Sequence, residues 1–455
     1  MSNRSDLLKK YNVPGPRYTS YPTVPYWSEN PTADEWVASV AAAIKEGSSA
    51  GIGAAVYVHI PFCESLCTYC GCNTRITRNH KVGSPYVATV IREWELYLEK
   101  IGTDFEVSEL HLGGGTPTFL EPDELEALVK GILSRVRVSK ASEFSIEADP
   151  RVTRKEHLER LSGLGFRRLS LGIQDFDPAV QEIVNRVQSE EQVRITTTDA
   201  RKAGFTSINY DLIYGLPRQT GESIRNTIET VRRLRPDRIA FYAYAHVPWI
   251  KPSHRKFTEA DLPAGEDKRA LYEMGREMLE EVGYREIGMD HFALETDSLW
   301  KASTQGSLHR NFMGYTSRQV APLIGLGVSA IGDSWTIFAQ NEKLVETYQS
   351  RVEKGEIPIF RGHKLNEEDL VLRRHVLNLM TRFETRWDKS GLRTPFLDQL
   401  AVKLEELARD QLIELSADSC RITQKGRPFL RNICMGFDAR LARQAPSTQL
   451  FSRTI

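Results

Sequence analysis

Four cysteines lie close together near the start of the chain. Cys63, Cys67, Cys70 and Cys72 follow a short hydrophobic run, in the segment His-Ile-Pro-Phe-Cys-Glu-Ser-Leu-Cys-Thr-Tyr-Cys-Gly-Cys that begins at His59. Thiolates bind soft or borderline metals, so the spacing C-x3-C-x2-C predicts a loop that turns three ligands toward one metal centre. Structural zinc, which needs a fourth ligand and usually joins two separated pairs, and a disulfide cluster are alternatives. The loop favours an iron–sulfur cluster over both.

The size and charge of the chain limit its class. A length of 455 residues exceeds a usual single domain and predicts two domains. Lys+Arg and Asp+Glu both number 60, so no global field attracts nucleic acid or an anionic membrane. The first residues form no apolar signal segment, and no run of about 18 apolar residues occurs. We therefore expect a cytoplasmic monomer without nucleic-acid or membrane partners.

Short hydrophobic runs alternate with amphipathic stretches between residues 54 and 250. The runs predicted as strands are Ala54–Ile60, Glu109–Leu112, Glu143–Ala148, Arg168–Ile173, Ser207–Ile213 and Arg238–Tyr244. Stretches such as Tyr86–Ile101 and Asp123–Arg135 repeat apolar residues every three or four positions, which predicts helices. This alternation predicts an α/β fold with a parallel sheet. Six units are too few for a closed eight-stranded barrel, so a partial barrel and a doubly wound sheet are the candidates.

The two ends of the chain predict different structures. Pro14, Pro16 and Pro22 interrupt the first 25 residues, so an extended arm is expected there instead of a helix. From about residue 260 the predicted strands stop, and helices such as Glu266–Val282 and Glu367–Arg382 dominate, with a winged-helix-like pattern near the end. The predicted divisions are an arm and lead-in over 1–50, a partial barrel over 51–255 and a mostly helical domain over 256–455.

Distinctive residues occur toward the ends of the predicted strands. The cysteine loop follows the first strand, the segment Gly113-Gly-Gly-Thr-Pro-Thr118 follows the second, and Glu147 ends the third. Ligand sites of parallel sheets lie at the carboxyl ends of the strands, so these residues predict one shared site. Glycines there let the backbone approach a ligand closely, and the Glu147 carboxylate offers an acceptor for an ammonium group or hydroxyls.

Several motifs together resemble one enzyme family. The cysteine triplet, with Tyr69 before its third cysteine, resembles the signature of radical S-adenosylmethionine enzymes. The further matching segments are Tyr11-Asn-Val-Pro-Gly-Pro-Arg-Tyr-Thr-Ser-Tyr-Pro22, Cys70-Gly-Cys72, Gly113-Gly-Gly-Thr-Pro-Thr118, Asp211-Leu-Ile-Tyr-Gly-Leu-Pro217, Gly288-Met-Asp-His-Phe292, His309-Arg-Asn-Phe312 and Arg431-Asn-Ile-Cys434. With these segments nearly the whole chain is similar to the oxygen-independent coproporphyrinogen III oxidases.

The resemblance implies a radical-SAM partial barrel and a specific reaction. That reaction is the decarboxylation of two propionates of coproporphyrinogen III to vinyls, giving protoporphyrinogen IX, with an electron donor that the sequence does not identify. The implied cofactors are a 4Fe–4S cluster on Cys63, Cys67 and Cys70, whose open iron binds S-adenosylmethionine, and two molecules of S-adenosylmethionine in all. A haem-binding chaperone, another porphyrin-directed radical enzyme and a zinc-stabilised binding protein are the alternatives.

The resemblance also implies roles for individual residues. The expected cofactor contacts are Tyr57, Tyr69, Gly114, Gly115, Thr116, Glu147 and Ile331 for the first S-adenosylmethionine, and Gln174, Arg186, Asp211 and Ala245 for the second. Cys72 is expected to donate hydrogen or steer a radical without binding the cluster, and a passive neighbour or alternate ligand is the other interpretation. Arg17, on an arm expected to cover the barrel mouth, and Arg310 are the candidate cations for the substrate propionates.

Overall fold

The computed structural model describes residues 4–49, 51–388, 391–444, 446 and 448–454. Its α-helices are α1 (Arg4–Tyr11), α2 (Ala33–Ser49), α3 (Gly83–Ile101), α4 (Pro122–Leu133), α5 (Lys155–Gly163), α6 (Pro178–Ile183), α7 (Glu190–Ala203), α8 (Gly221–Leu234), α9 (Gly265–Glu281), α10 (Ser298–Gln305), α11 (Val345–Glu353), α12 (Glu367–Arg382), α13 (Pro395–Gln399), α14 (Ala401–Arg409), α15 (Leu430–Gly436) and α16 (Ala439–Arg443).

The strands alternate with these helices in the first half and cluster in short groups in the second. They are β1 (Ala54–Ile60), β2 (Phe62–Cys63), β3 (Arg75–Ile76), β4 (Glu106–Gly114), β5 (Arg137–Ala148), β6 (Phe166–Gln174), β7 (Ser207–Tyr214), β8 (Arg238–Ala243), β9 (Tyr284–Gly288), β10 (His291–Leu294), β11 (His309–Asn311), β12 (Gly314–Thr316), β13 (Leu323–Leu326), β14 (Ile331–Asp333), β15 (Ile337–Asn341), β16 (Ile359–Lys364), β17 (Glu384–Arg386), β18 (Ile413–Leu415) and β19 (Ser419–Ile422).

One large sheet organises the molecule. The described residues form a twelve-stranded sheet in the order β16-β15-β14-β13-β1-β4-β5-β6-β7-β8-β10-β9. Neighbouring strands from β13 through β1 and β4 to β8 are all parallel, and the strands beyond them on both sides are antiparallel. The six predicted strands occur as β1 and β4–β8 with helices between them, so the predicted α/β fold with a parallel sheet is confirmed.

Burial explains why these segments form these elements. β1 is almost entirely buried, as expected for a parallel strand covered on both faces. On α3 the buried residues Val87, Val90, Trp94 and Leu98 recur every three or four positions, so one face of this helix packs in the main core. The helix is followed by Gly102, whose φ of 79° is a backbone conformation that glycine adopts without strain.

The expectation that strands stop near residue 260 is wrong. β9 and β10 extend the sheet beside β8, and β13–β16 extend it beside β1. These strands are short, and β13 and β15 are buried at every position, so they lack the polar alternation that marks a half-exposed strand. Helices still dominate from residue 367 to 443, which agrees with the predicted helical C-terminal region. The domain boundary at 255 stays a prediction.

The N-terminal arm is partly helical, which corrects the expectation of a wholly extended segment. α1 ends before Pro14, so the prolines do not interrupt it. Leu7, Leu8, Tyr18 and Tyr21 are buried in the same core as the C-terminal helices. The arm therefore belongs structurally to the C-terminal region.

The two ends of the described chain pair with each other. Thr454 N donates to Val13 O at 2.8 Å, Gly15 N donates to Ser452 O at 3.0 Å, and Pro14 forms an isolated antiparallel bridge with Arg453. None of the helices in the described ranges combines the length and apolar character that crossing a membrane requires.

Candidate active site

Polar side chains line one face of the parallel sheet. Tyr57 on β1 lies opposite His111 on β4, and His111 lies opposite Ser145 on β5. Glu147 lies two residues after Ser145, and its partner on β6 is Ser170. Residues two apart on a strand face the same side, so these side chains belong to one surface. This face supplies the floor of the candidate site.

The cysteine loop begins at Cys63, where β2 ends, and forms hydrogen bonds with the residues that follow α6. Thr68 N donates to Val184 O at 3.0 Å, and Asn185 Nδ2 donates to Leu66 O at 2.7 Å. Among the described residues no three His, Cys, Asp or Glu side chains converge as they would around a single metal ion. The expected convergence on one point is therefore not present. Each thiolate of a cubane binds a different iron, so three cluster ligands do not have to converge on one atom.

Hydrogen-bond donors and cations surround the cysteine sulfurs. Thr116 Oγ1 lies 3.3 Å from Cys63 Sγ, and Arg186 Nη1 donates to Cys67 Sγ at 3.6 Å. Arg151 Nη2 lies 3.9 Å from the same Cys67 sulfur. Such donors stabilise thiolates and an anionic cluster, because positive charge lowers the free energy of nearby negative charge. The residues present therefore fit an iron–sulfur cluster on this loop.

Cys70 and Cys72 form a hydrogen-bonded pair. The Cys72 N–H lies 3.4 Å from Cys70 Sγ. The side-chain hydrogen bond from Cys72 lowers the pKa of Cys70 to about 6, and the same bond raises the pKa of Cys72 well above its ordinary value. The thiolate therefore resides on Cys70, and Cys72 keeps its proton. Cys72 is exposed, whereas Cys67 is buried and Cys63 and Cys70 are half-buried.

The glycine segment after β4 brings backbone close to the cysteine loop. Gly115 N donates to Ile60 O at 2.8 Å, and Thr116 N donates to Phe62 O at 2.9 Å. Gly114 has a φ of 115°, and a Cβ there would lie 2.8 Å from the His59 ring. Only glycine meets both conditions at position 114, because other residues rarely adopt this φ and their Cβ would clash.

Glu147 is held as a carboxylate within this floor. Gly114 N donates to Glu147 Oε2 at 3.1 Å, and His111 Nε2 lies 3.4 Å from Oε1. Burial alone would raise the pKa of Glu147, but the hydrogen bonds from His111 and Gly114 outweigh it and lower that pKa. Tyr57 stacks on His111 with ring centroids 5.8 Å apart. An anionic acceptor beside an aromatic ring suits a cationic ligand such as a sulfonium compound with an ammonium group.

A second group of predicted residues surrounds Cys67. The buried Arg186 forms an ion pair with Asp149, with Nη1 and Oδ2 3.0 Å apart. A Cβ at Gly172 would lie 2.9 Å from Arg186 Nη2 and 3.0 Å from Gln174 Nε2, so both side chains meet at this glycine. Tyr69 packs beside this group on the small core that contains Val184. Arg186 is therefore already paired with a carboxylate of the chain, Asp149.

Asp211 on β7 lies next to this group, opposite Gly172 of β6. Asp211 accepts hydrogen bonds from Ser170 Oγ at 3.0 Å and from Asn209 Nδ2 at 2.9 Å. Burial, and next the nearby Glu147 carboxylate, raise the pKa of Asp211 to about 6. It lines a cavity of about 130 Å³ together with Glu147. Ala245 follows β8 and is half-buried.

A larger cavity of about 360 Å³ lies over the floor, and we call it the mouth pocket. It is lined by residues of the arm, β1, β5, β11 and β14, including Arg17, Tyr57, Glu147, Arg310 and Ile331. Five predicted site residues therefore share one cavity. The structure places Arg17 of the arm at this cavity, as expected.

Sequence reasoning missed several residues of the site. His59 and His111 both line the mouth pocket, and Asp149 and Arg151 flank Cys67. Both histidines could have been predicted from the sequence, because each is a polar residue that lies two positions from another inward-facing residue of a hydrophobic strand. The contacts of Asp149 with Arg186 had no such signal, because loops bring these residues together from separate strands.

The parallel sheet, the cysteine loop and the polar floor define a radical S-adenosylmethionine enzyme, a class that uses a 4Fe–4S cluster and S-adenosylmethionine, and residues 57–231 match the Radical SAM superfamily. The oxygen-independent coproporphyrinogen III oxidases of Pseudomonas aeruginosa and Escherichia coli are 39% and 40% identical to this chain, with 99% of this chain and 98% of each relative covered. The solved coproporphyrinogen III oxidase of Escherichia coli, described as a radical SAM enzyme, superposes with a TM-score of 0.87 at 39% identity, covering 93% of this chain and 97% of that one. The chain belongs to the oxygen-independent coproporphyrinogen III oxidase family.

Proposed function

We propose that this protein converts two propionates of coproporphyrinogen III to vinyls without oxygen and so forms protoporphyrinogen IX. The observation that carries this proposal is the match to oxidases of that name over 99% of the chain, at 39% and 40% identity. Each propionate loses a hydrogen atom from its β-carbon, carbon dioxide and one further electron. That electron needs an acceptor, and reduction of the cluster needs a donor that remains to be identified.

The cysteine loop is the proposed cluster site. Cys63, Cys67 and Cys70 would hold three irons of a 4Fe–4S cluster, supported by Thr116 and Arg186 beside their sulfurs. When bound, the cluster and S-adenosylmethionine together supply a 5′-deoxyadenosyl radical that removes hydrogen from a propionate. Because the loop adjoins the floor residues through Thr116, the chemistry belongs in the mouth pocket.

The floor residues are the proposed contacts of the first S-adenosylmethionine. Glu147 would accept from its ammonium group or ribose hydroxyls, and the backbone from Gly114 to Thr116 can approach it closely. Tyr57, Tyr69 and Ile331 would pack against its apolar parts. For a second S-adenosylmethionine the proposed contacts are Gln174, Arg186, Asp211 and Ala245, of which Arg186 has an existing carboxylate partner that a ligand would have to share.

Cys72 is the residue proposed to steer the radical beside the cluster. Its backbone N–H contacts Cys70 Sγ, and its carbonyl oxygen accepts from Lys251 Nζ at 2.9 Å, so the residue is fixed next to the third ligand. Exposure of its side chain lets it face a substrate outside the cluster. Of the two candidate cations for substrate carboxylates, Arg310 is the proposed one, because Arg17 is already paired with Asp290. We further propose a cytoplasmic monomer that has no nucleic-acid or membrane partner.

The test is an anaerobic assay of the purified protein with its cluster reconstituted. Coproporphyrinogen III, S-adenosylmethionine and a reductant are supplied, and the products are separated by chromatography. The expected result is a mono-vinyl intermediate followed by protoporphyrinogen IX, with none formed by Cys67→Ser. Cleavage of S-adenosylmethionine without vinyl products would indicate another radical enzyme, and tight haem binding without turnover would indicate a haem chaperone.

A further inference from the structure

Arg310 is a buried cation without a carboxylate partner. It lies on β11 opposite Tyr315 of β12, and its guanidinium carbon is 4.7 Å from the centroid of that ring. Only 6% of the residue is exposed, yet Nε and Nη1 are buried and donate no hydrogen bond. Within the described ranges no Asp or Glu forms an ion pair with it.

The other buried arginines among the described residues have partners, which are carboxylates or, for Arg431, backbone carbonyl oxygens. Arg186 contacts Asp149 at 3.0 Å, Arg238 contacts Asp297 at 2.7 Å, and Arg373 contacts Asp333. An unpaired charge in a protein interior is destabilising, whereas a paired and hydrogen-bonded charge is tolerated. The exception at Arg310 therefore indicates that its partner is a molecule outside the chain.

Arg17, the other cation of the mouth pocket, is already engaged. Its Nη2 forms an ion pair with Asp290, Nη1 donates to Ala243 O at 3.4 Å, and its guanidinium lies over the Tyr242 ring at 5.5 Å. Asp290 thus satisfies Arg17 but leaves Arg310 without an acceptor. Both arginines line the same cavity, but Arg17 has a carboxylate partner and Arg310 has none among the described residues.

The surroundings of Arg310 suit an anionic group carried on an apolar body. His291 of the same pocket stays neutral, because burial, and next Arg310 and Arg17, lower its pKa well below the ordinary value. Its Nδ1 also lacks a partner, while Nε2 lies 3.3 Å from the Tyr242 hydroxyl. Phe312 and Met313 at the β11–β12 turn add apolar surface. The acid among the described residues that line the cavity is Glu147, which accepts from Gly114, lies near His111 and forms no ion pair with Arg310.

We propose that the buried Arg310 guanidinium is the carboxylate receptor of the mouth pocket, while Arg17 remains bound to Asp290 and holds the arm in place. This proposal rests on the proposed function. A planar guanidinium can bind a carboxylate through two parallel hydrogen bonds along one edge, from Nη2 together with either Nε or Nη1, and Arg310 has an unused donor on each of these edges. The carboxylate can come from a propionate of the tetrapyrrole or from S-adenosylmethionine.

The experiment measures binding and stability as well as turnover. Cluster-loaded wild type, Arg310→Met and Arg310→Lys are titrated anaerobically with coproporphyrin III, with its tetramethyl ester, and separately with S-adenosylmethionine. We expect Arg310→Met to weaken binding of the free acid by about 10- to 100-fold, the effect of losing a charge-assisted hydrogen bond, and to leave binding of the ester unchanged. Arg310→Lys should recover part of the lost affinity, because lysine restores the positive charge but cannot form two parallel hydrogen bonds with one carboxylate.

Thermal unfolding supplies the readout that separates a receptor from a structural residue. Arg373→Met is the matched control, because Arg373 is also buried but is paired with Asp333 and lies over Trp335. We expect Arg310→Met to keep or raise the unfolding midpoint, since it removes an unpaired charge, and Arg373→Met to lower it.

Each outcome decides the proposal. If Arg310→Met weakens the binding of S-adenosylmethionine but not that of the porphyrin, Arg310 is a carboxylate receptor and the carboxylate that it binds belongs to S-adenosylmethionine. A lowered midpoint without any change in affinity would overturn the receptor and make Arg310 structural. If wild type forms vinyl products and Arg310→Met binds both ligands normally, the receptor fails and the proposed function stands. If wild type neither binds coproporphyrin III nor converts coproporphyrinogen III, both fail.

Discussion

At the scale of single residues, the four thiols of the cysteine loop have different neighbours. Cys67 contacts Arg186, and Cys63 contacts Thr116, whereas Cys72 is exposed and is hydrogen-bonded to Cys70. The four thiols of one short segment are therefore in different environments. We expect them to respond differently to substitution.

Replacing any one of the three proposed ligands should remove the cluster. Cys63→Ala, Cys67→Ala or Cys70→Ala leaves two thiolates for a cubane that already has one open iron, so we expect iron and sulfide contents near zero and no turnover. Iron analysis and visible absorbance of anaerobically purified protein measure this. Cys420→Ala is the control, because Cys420 is buried in the C-terminal core. Full iron content in any of the three variants would refute the ligand assignment.

Cys72→Ser should keep the cluster but lose decarboxylation. A serine preserves the backbone contact with Cys70 and approximately the size of the side chain, but it lacks the thiol that is proposed to steer the radical. We expect iron content and S-adenosylmethionine affinity within about twofold of wild type and vinyl formation reduced by about 100-fold or more, a loss equivalent to about 3 kcal/mol. Iron analysis and product assay on the same preparation test this. Loss of iron together with activity would make Cys72 a ligand.

The site was partly predictable at this scale. The cysteines, Glu147 and the glycine segment could be found because a local pattern places them at strand ends. The ion pair between Arg17 and Asp290 could not, because 273 positions separate these residues and only the folded arm brings them together. The unpaired state of Arg310 likewise depends on which carboxylates the fold leaves near it.

At the scale of elements, a buried carboxylate joins α3 to the strands on one side of the sheet. Glu93 of α3 accepts from Gly327 N at 2.8 Å, from Tyr348 Oη at 2.6 Å and from Asn341 Nδ2 at 2.7 Å. These donors belong to the β13–β14 connection, α11 and β15. Burial raises the pKa of Glu93 to about 7 despite these three hydrogen bonds.

This raised pKa predicts a pH-dependent stability. In the unfolded chain Glu93 titrates near 4.3, so folding takes up a proton between about pH 4 and 7, and the contribution of Glu93 is lost as pH rises through that window. The free energy of unfolding of wild type, relative to Glu93→Gln, should fall by about 3 kcal/mol from pH 4.5 to pH 8. Urea unfolding of both proteins across this range measures the difference. A difference that does not change with pH would contradict the shift.

The elements themselves were predictable to different degrees. α12 has the predicted bounds, and α3 begins three residues before its prediction, because buried apolar residues recur every three or four positions in both helices. The strands after residue 280 were missed since runs of three to five buried residues carry no period. The helix α1 was missed because the prolines that follow it dominated the interpretation of the arm.

At the scale of the whole molecule, the last residues of the chain hold the arm near the mouth pocket. Val13 and Gly15 pair with Thr454 and Ser452, and Arg431 Nη1 donates to Arg453 O at 3.0 Å. Arg17 follows two residues after Gly15. The C-terminal segment thus supports a mouth-pocket residue through the backbone of the arm.

Removal of this segment should impair substrate binding from a distance. Deleting residues 449–455 breaks four hydrogen bonds to residues 11–15 and one to Arg431, so we expect KM for coproporphyrinogen III to rise about tenfold or more, with the cluster content unchanged. Steady-state kinetics and iron analysis measure both quantities. Ser452→Ala is the control, because only the backbone of Ser452 contacts the arm. An unchanged KM in the truncated protein would show that the pairing does not support the arm.

The order of strands in the large sheet has a consequence for synthesis of the chain. β1 and β8 bound the stretch of the sheet made by residues 54–243, and the strands that cover them, β13 and β10, come only later in the chain. While the ribosome translates that interval, both strands expose unpaired backbone groups and are open to pairing with other nascent chains. A chaperone that binds exposed strands is therefore needed most in this interval. A fragment that stops at residue 255 should aggregate, although it contains all three proposed cluster ligands.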